Sequence, residues 1–188
     1  MLVEFIIPTY DRIDALKSML CSLIAQSLND WGAMVVIDRQ YNQQYEDLLK
    51  SFNDNRIVWA YMDKRYNDFG HTPRQVGKQT SMAEYIIMTG DDNYYMPTFV
   101  DELKKATTNK PGIIYYDMVH SHYDYSFFEC QLVYNQIDMG AFATRRDIAQ
   151  SIILNTSYAA DGEFIEDYKR LYPNELSVKI NKVLFVHN

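Results

Sequence analysis

Cysteine is scarce in this chain, with only Cys21 and Cys130, which stand far apart and show no C-x-x-C or secreted-scaffold spacing. A disulfide framework is therefore not expected, and the pair reads as two reduced, partly buried thiols of a cytoplasmic protein. Positive charge is also short, since 18 Lys and Arg face 25 Asp and Glu for a net charge of -7. Nucleic acid as a partner is disfavoured, because a polyanion needs a basic face. Long apolar runs are missing as well, and none approaches the roughly 20 residues that a bilayer span requires. Met1 to Pro8 has neither a basic start nor an extended apolar stretch, so no signal peptide and no integral membrane segment are expected. Internal repeats, low-complexity tracts and linkers are absent from the 188 residues.

What remains is ordinary globular material with one excess. Hydrophobic content of 47% against 23% charged residues places the chain among folded proteins that bury a real core. Sixteen tyrosines are many for this length and suggest wet, aromatic-lined surfaces of the kind that stack on sugars or bases. A single domain of two unequal halves is expected.

The first half alternates strand and helix patterns. Val3 to Ile7 is a short apolar run closed by Pro8-Thr9, and Asp11 is placed to cap the following helix, with Asp14 favouring its positive end. Ile13, Leu16, Leu20, Leu23 and Ile24 keep helical spacing, Ala33 to Ile37 reads as a second strand ending at Asp38, and Ile57 to Tyr61 as a third. Tyr45, Leu48, Leu49 and Phe52 form another helix face between them. This order predicts a parallel sheet with crossover helices. Asp63 to His71 is polar and reads as a loop, after which Thr72-Pro73 opens a helix carrying Arg74, Gln75 and Lys78. Beyond Pro97 a helix is expected to about Thr107, then strands at Ile113 to Met118 and Phe127 to Tyr134. Helices follow at Arg146 to Leu154 and Gly162 to Tyr172, and one or two strands over Val178 to Val186. The second half reads as less regular and more antiparallel.

The centre of the pattern is Y-I-I-M-T-G-D-D-N-Y-Y-M-P, residues 85 to 97. A strand-length apolar run stops at Thr89-Gly90, and two adjacent carboxylates, Asp91 and Asp92, follow at its C-terminal end. Pro97 stands where a first helical turn begins. Neighbouring like charges beside a buried strand need neutralising, and a divalent cation carrying a diphosphate does this, since Mg2+ and Mn2+ accept carboxylate and phosphate oxygen together. Taken alone, the dipeptide reads first as a solvated Asp-Asp-Asn turn.

These stretches, in this order, resemble the metal-dependent GT-A glycosyltransferases, especially the inverting family 2 type. F-I-I-P-T-Y-D-R is similar to the family's first strand and turn, V-V-I-D to its second strand, and G-H-T-P-R-Q-V-G-K to its arginine-bearing helix. T-G-D-D-N-Y-Y-M-P resembles the acidic DXD strand end, and A-A-D-G-E-F-I-E-D-Y the helix start that holds the base. The resemblance covers nearly the whole chain. It implies an α/β, Rossmann-like single domain over residues 1–188, with a mainly parallel central sheet flanked by helices. Residues 1–97 would form the nucleotide-binding half and 98–188 the acceptor-binding half. The sequence departs from the family pattern twice: Gly90 stands where the first carboxylate is usual, and Ala160-Asp161 where a Glu-Asp pair is common.

The resemblance also implies roles. Asp92 matches the main metal ligand, with Asp91 touching the metal, a water or the sugar. His187 resembles the C-terminal histidine that many members add to the metal, and otherwise reads as a terminal histidine beside water. An imidazole ligand tilts the choice toward Mn2+. Asp161 matches the general base, and otherwise reads as a plain helix N-cap, a place that a base can also occupy, with Glu163 as substitute. For the nucleotide, Pro8 and Thr9 offer backbone contacts and Tyr10 a stacking face. Asp38 is an acceptor for base or ribose, and Arg74 is a partner for base or diphosphate, with Arg12 and Lys78 as weaker candidates. His120 and His122, an H-x-H pair, read as acceptor-side or surface groups, Met139-Gly140-Ala141 as a close-approach segment, and Tyr115 to Tyr125 as acceptor lining or core.

The implied reaction moves a sugar from a nucleotide-diphosphate donor, UDP-sugar favoured and GDP-sugar next, to a glycan, lipid-linked or protein acceptor. A sugar nucleotidyltransferase is the nearest enzymatic alternative, but its glycine-rich phosphate loop after the first strand has no counterpart in P-T-Y-D-R. A nucleotide-sugar binding protein without turnover is the alternative from another class.

Overall fold

Nine strands and six α-helices organise the protein, here described over residues 1–188 in a computed structural model. In chain order they are β1 (Val3–Thr9), α1 (Ile13–Ile24), β2 (Trp31–Ile37), α2 (Gln43–Ser51), β3 (Ile57–Tyr61), α3 (His71–Thr80), β4 (Tyr85–Met88) and β5 (Tyr94–Tyr95). Then come α4 (Phe99–Ala106), β6 (Ile113–His120), β7 (Ser126–Phe128), β8 (Phe142–Arg145), α5 (Arg146–Ser151), α6 (Ala160–Leu171) and β9 (Ser177–His187). All the strands belong to one sheet ordered β3-β2-β1-β4-β8-β6-β9-β5, with β7 paired to the outer part of β6. The mixed sheet with flanking helices is the α/β architecture expected from the alternating pattern.

β1, β2, β3 and β4 are mutually parallel where they pair, and their apolar runs explain why. Every residue of β1 and of β4 is buried, as befits strands covered on both faces. The second half is more antiparallel, as its sequence suggests: β8 runs against β4 and β6, β7 against β6, and β5 against β9. Its exception is β9, which pairs in parallel with β6, with a register break opposite Tyr116 and Asp117. One apolar core runs from Leu2 and Val3 to Leu184 and Phe185 without interruption. No helix is long and apolar enough to cross a membrane.

Three local expectations are corrected. The strand expected over Phe127 to Tyr134 ends at Phe128, because the next residues turn on themselves: Gln131 N–H donates to the Gln136 carbonyl and Asn135 adopts a left-handed φ of 62°. Asp11 does not cap α1. It takes a φ of 53° and its carboxylate accepts from Arg39, leaving Arg12 at the helix entrance without a side-chain cap. The helix expected to reach Leu154 stops at Ser151, where the Lys78 ammonium takes the carbonyls of Ala149 and Ile152. An ammonium at the last carbonyls satisfies groups that another helical turn would otherwise bond.

Candidate active site

In-register parallel pairing delivers polar residues to one rim of the sheet. Thr9 lies opposite Ile37 and Ile6 opposite Met88, so β1, β2 and β4 end together and present Thr9, Asp38 and the 89–92 turn side by side. A cavity of about 550 Å³ opens there, lined among others by Pro8, Thr9, Tyr10, Arg12, Asp38, Arg74, Asp91 and Asp92. Every nucleotide-side candidate except Lys78 borders this space. Lys78 is fully buried and belongs to the α3–α5 packing. A larger hollow of about 700 Å³ beside the α2–β3 connection is lined by Lys50 and the Asp54–Arg56 ion pair.

The two carboxylates of the acidic turn have different surroundings. Asp91 is 5% exposed, accepts a 2.7 Å hydrogen bond from Thr9 Oγ1, and is pushed by burial up to about 6. Asp92 faces the cavity and is paired with the guanidinium of Arg12, which also lies 3.6 Å from Asp91 Oδ1. Gly90 permits this close turn, because a Cβ there would sit 2.8 Å from Asp92 Oδ1 and 3.1 Å from Asn93 Nδ2. The residue that departs from the DXD pattern thus makes room for the carboxylate that follows it.

Several candidates have work within the fold. Asp38 accepts from the backbone N–H groups of Tyr66 at 2.9 Å and Asn67 at 3.2 Å, which ties the polar loop over the sheet edge. Arg74 donates Nε and Nη2 to the Thr89 carbonyl at 3.2 and 3.1 Å, and Nη1 to the Phe69 carbonyl at 2.8 Å. It holds the end of β4 to that loop, and burial pushes its pKa below the usual guanidinium range. The Tyr10 ring is covered by the Arg65 guanidinium 3.8 Å from its centroid, with Arg39 at 5.5 Å. Arg65 carries no signal in the sequence, where it is one cation in a polar loop.

A second cavity of about 330 Å³ adjoins the first, and Tyr158 and His187 line both. It gathers Asp138, Asp161, His120, His122 and Tyr123. Asp161 lies in the first turn of α6 and accepts from Gly162 N–H at 2.7 Å. Burial, reinforced by the charge of Asp138, raises its carboxyl to about 6 against the opposing pull of the backbone. Glu163 points elsewhere, because residues two apart on a helix face away from one another. It lines a separate cavity of about 300 Å³ with Tyr134 and Phe164, and its buried Oε2 has no partner. Of the tyrosines between 115 and 125, Tyr123 reaches the second cavity, whereas Tyr116 is core and donates to the Gly140 carbonyl at 2.8 Å. Met139, Gly140 and Ala141 are all buried beneath it.

His187 comes to the acidic turn through strand pairing. Tyr94 pairs with Val186 and Tyr95 with Phe185, so the next residue of β9 arrives beside Asn93, whose Oδ1 accepts from Asn188 N–H at 3.2 Å. The imidazole stacks on His120 and its Nε2 lies 3.6 Å from Asp138 Oδ2. Asp138 is not among the residues expected in the site, although its place before Met139-Gly140 is a readable turn signal: its Oδ1 accepts from Gly140 N–H at 2.8 Å. No three His, Cys, Asp or Glu side chains converge as a ready-made metal site. Asp91, Asp92 and the His187 imidazole all border the first cavity, where an ion would meet them.

The whole fold is shared with known structures. Residues 1–349 of TarS from S. aureus match with a TM-score of 0.81 at 15% identity, covering 100% of this chain and 60% of that one. The same protein in complex with UDP-GlcNAc matches with a TM-score of 0.79 at 15% identity, over 99% of this chain and 58% of that one. The mannosyltransferase PcManGT from Pyrobaculum calidifontis, in complex with GDP-Man and Mn2+, matches with a TM-score of 0.75 at 13% identity, over 98% and 56%. The chain thus spans about 60% of the length of the first of these relatives. Likeness at such identity concerns the fold, whereas sequence supplies the family: the profile of glycosyl transferase family 2 matches residues 4–157, and the chain belongs to that family.

Proposed function

We propose that this chain moves a sugar from a nucleotide-diphosphate sugar to an acceptor hydroxyl, inverting the anomeric centre, with Asp161 as general base and a divalent cation at Asp92. The observation that carries this reading is the junction of the two cavities at Tyr158 and His187, with the acidic turn on one side and Asp161 on the other. Residues 1–97 then supply most of the donor half and 98–188 the acceptor half. A UDP-sugar is the favoured donor and a GDP-sugar the second, in keeping with the ligands of TarS and PcManGT. A glycan, lipid-linked or protein hydroxyl is the acceptor, and the cytoplasm the expected place of action.

The donor set fits a divalent ion such as Mn2+. Asp91 is a desolvated carboxylate, Asp92 has only an exposed guanidinium as partner, and His187 adds an imidazole acceptable to Mn2+. When bound there, the ion supplies charge neutralisation for the departing diphosphate. Asp161 takes the proton of the acceptor hydroxyl as its oxygen bonds to the anomeric carbon, while the bond to phosphate breaks and its electron pair leaves with the nucleoside diphosphate. Its raised pKa suits this task, since a carboxylate that titrates near 6 is a better proton acceptor than one near 4. Arg74 acts by fixing the Thr89 end of β4, and Asp38 by holding the loop that walls the donor cavity.

A thermal-shift panel of UDP, GDP, dTDP and CDP, with and without Mn2+, tests the proposal. Stabilisation by one or two nucleotides that depends on Mn2+ is expected. No response to any nucleotide would overturn it.

A further inference from the structure

We propose that Arg12 is a displaceable counter-ion, which holds Asp91 and Asp92 when no cation is present and moves onto the diphosphate when cation and nucleotide arrive together. The inference rests on the reading of Asp92 as a metal ligand and goes beyond it. The main chain of Arg12 is anchored: its N–H donates to the Tyr45 hydroxyl at 3.2 Å and its carbonyl accepts from Leu16 N–H at 2.9 Å. The side chain is free by contrast, 56% exposed while its guanidinium spans Asp92 and, at 3.6 Å, Asp91 Oδ1. It therefore does for this pair of carboxylates what a doubly charged ion would do, with half the charge and from a flexible arm.

A metal ion held by Asp92 and Asp91 would compete with the guanidinium for their oxygens. Asp92 Oδ2 and Asp91 Oδ1 are the atoms that Arg12 engages, and a cation carries enough charge to repel a guanidinium beside it. The contact with Asp92 is made by an exposed guanidinium on a partly covered carboxylate, and ion pairs open to water are weak, so displacement there costs little. Once released, Arg12 still borders the cavity that would hold the diphosphate. Its planar fork of donors matches phosphate oxygens. The exchange makes cation and nucleotide each favour the other, since the cation alone leaves the arm without a partner and the nucleotide alone would draw it away from two unneutralised carboxylates, and such coupling is reciprocal.

Manganese uptake gives the test, with the free aqueous Mn2+ signal followed by electron paramagnetic resonance during titration with MnCl2, alone and with UDP or GDP. In the wild type, Mn2+ alone should bind weakly and the nucleotide should strengthen it. Arg12→Ala should bind Mn2+ alone roughly three- to tenfold more tightly. The same variant should lose affinity for the nucleotide in saturating Mn2+, so that the mutual enhancement shrinks. Arg12→Gln, checked by its melting curve, should behave in the same way. Unchanged or weaker uptake of Mn2+ alone by both variants overturns the role of Arg12, while nucleotide-dependent uptake by the wild type would leave the metal reading standing. No uptake by the wild type under any condition overturns both.

Discussion

His120 and His187 are register partners at the ends of two parallel strands, and their rings stack 4.0 Å apart at an interplanar angle of 18°. The pairing of β6 with β9 thereby fixes which way His187 faces: Nδ1 toward Ser121 Oγ at 3.4 Å and Nε2 toward the cavity beside Asp138. Burial, with the neighbouring His187 and His122, pushes His120 down to about 4, so its ring stays neutral against its partner at physiological pH.

A ring held by stacking loses its aim when the support goes. With His187 on the metal, His120→Ala should weaken nucleotide-dependent Mn2+ binding about tenfold, the size usual for groups that orient a ligand. His120→Phe keeps a flat ring and should cost much less. Equal losses in the two variants, measured by Mn2+ titration, would count against the stacking argument.

Asp161→Asn should reduce transfer by about 10²–10⁴-fold while Mn2+-dependent nucleotide binding persists. In the wild type, kcat/KM should fall on the acid side with a midpoint near the Asp161 value of about 6. The same substitution should raise stability at pH 8. A carboxyl raised in the folded state stabilises below its ordinary pKa near 3.8, and that contribution is lost as pH rises through about 6. Allowing for partial exposure, the gain should be roughly 1 kcal/mol, a few degrees in Tm. Lower activity with a higher melting temperature separates a lost base from a damaged fold.

Lys78 gives a second pH dependence with the opposite sign. Its ammonium is fully buried, and desolvation lowers it from 10.5 to about 8. The stability associated with its titration is complete above 10.5 and is lost as pH falls through 8, because the unfolded chain binds the proton more readily. The difference in stability between wild type and Lys78→Met should therefore change by up to ~3 kcal/mol between pH 7.5 and 11. A flat difference across denaturant melts would show that the ammonium is better solvated than its burial implies.

Gly77 lies where α3 crosses the sheet, and a Cβ there would meet Ile6 Cγ2 at 2.4 Å and Val36 Cγ2 at 3.2 Å. Gly77→Ala should cost about 1–3 kcal/mol through overpacking, despite the better helix propensity of alanine. A rise in Tm would show that α3 can lift from β1 at no cost. Since α3 carries Arg74, such freedom would also loosen the end of β4.

Much of this molecule can be read in its local patterns. The run Tyr85 to Met88 is β4 residue for residue, and the alternating strands and helices before it are those of the parallel sheet. Asp91, Asp92 and Asp161 stand at element ends, where turn residues and a change of period announce them. These features are legible because strand period, helix period and turn chemistry are properties of adjacent residues.

Tertiary structure decided the rest. The position of His187 beside the acidic turn depends on a ladder between residues about 90 apart in the chain, and the same ladder brings the histidine to Asp138. Lys78 and Arg12 are both single cations near helix ends in the sequence, yet one is sealed under α5 and the other spans two carboxylates. Glu163, two residues from Asp161, is turned into another cavity by helical geometry, and Asp38 spends both oxygens on a loop that no local pattern attaches to it. A long side chain reaches whatever the packing of distant segments brings near it, so its partner is set by the whole fold and not by its neighbours in sequence.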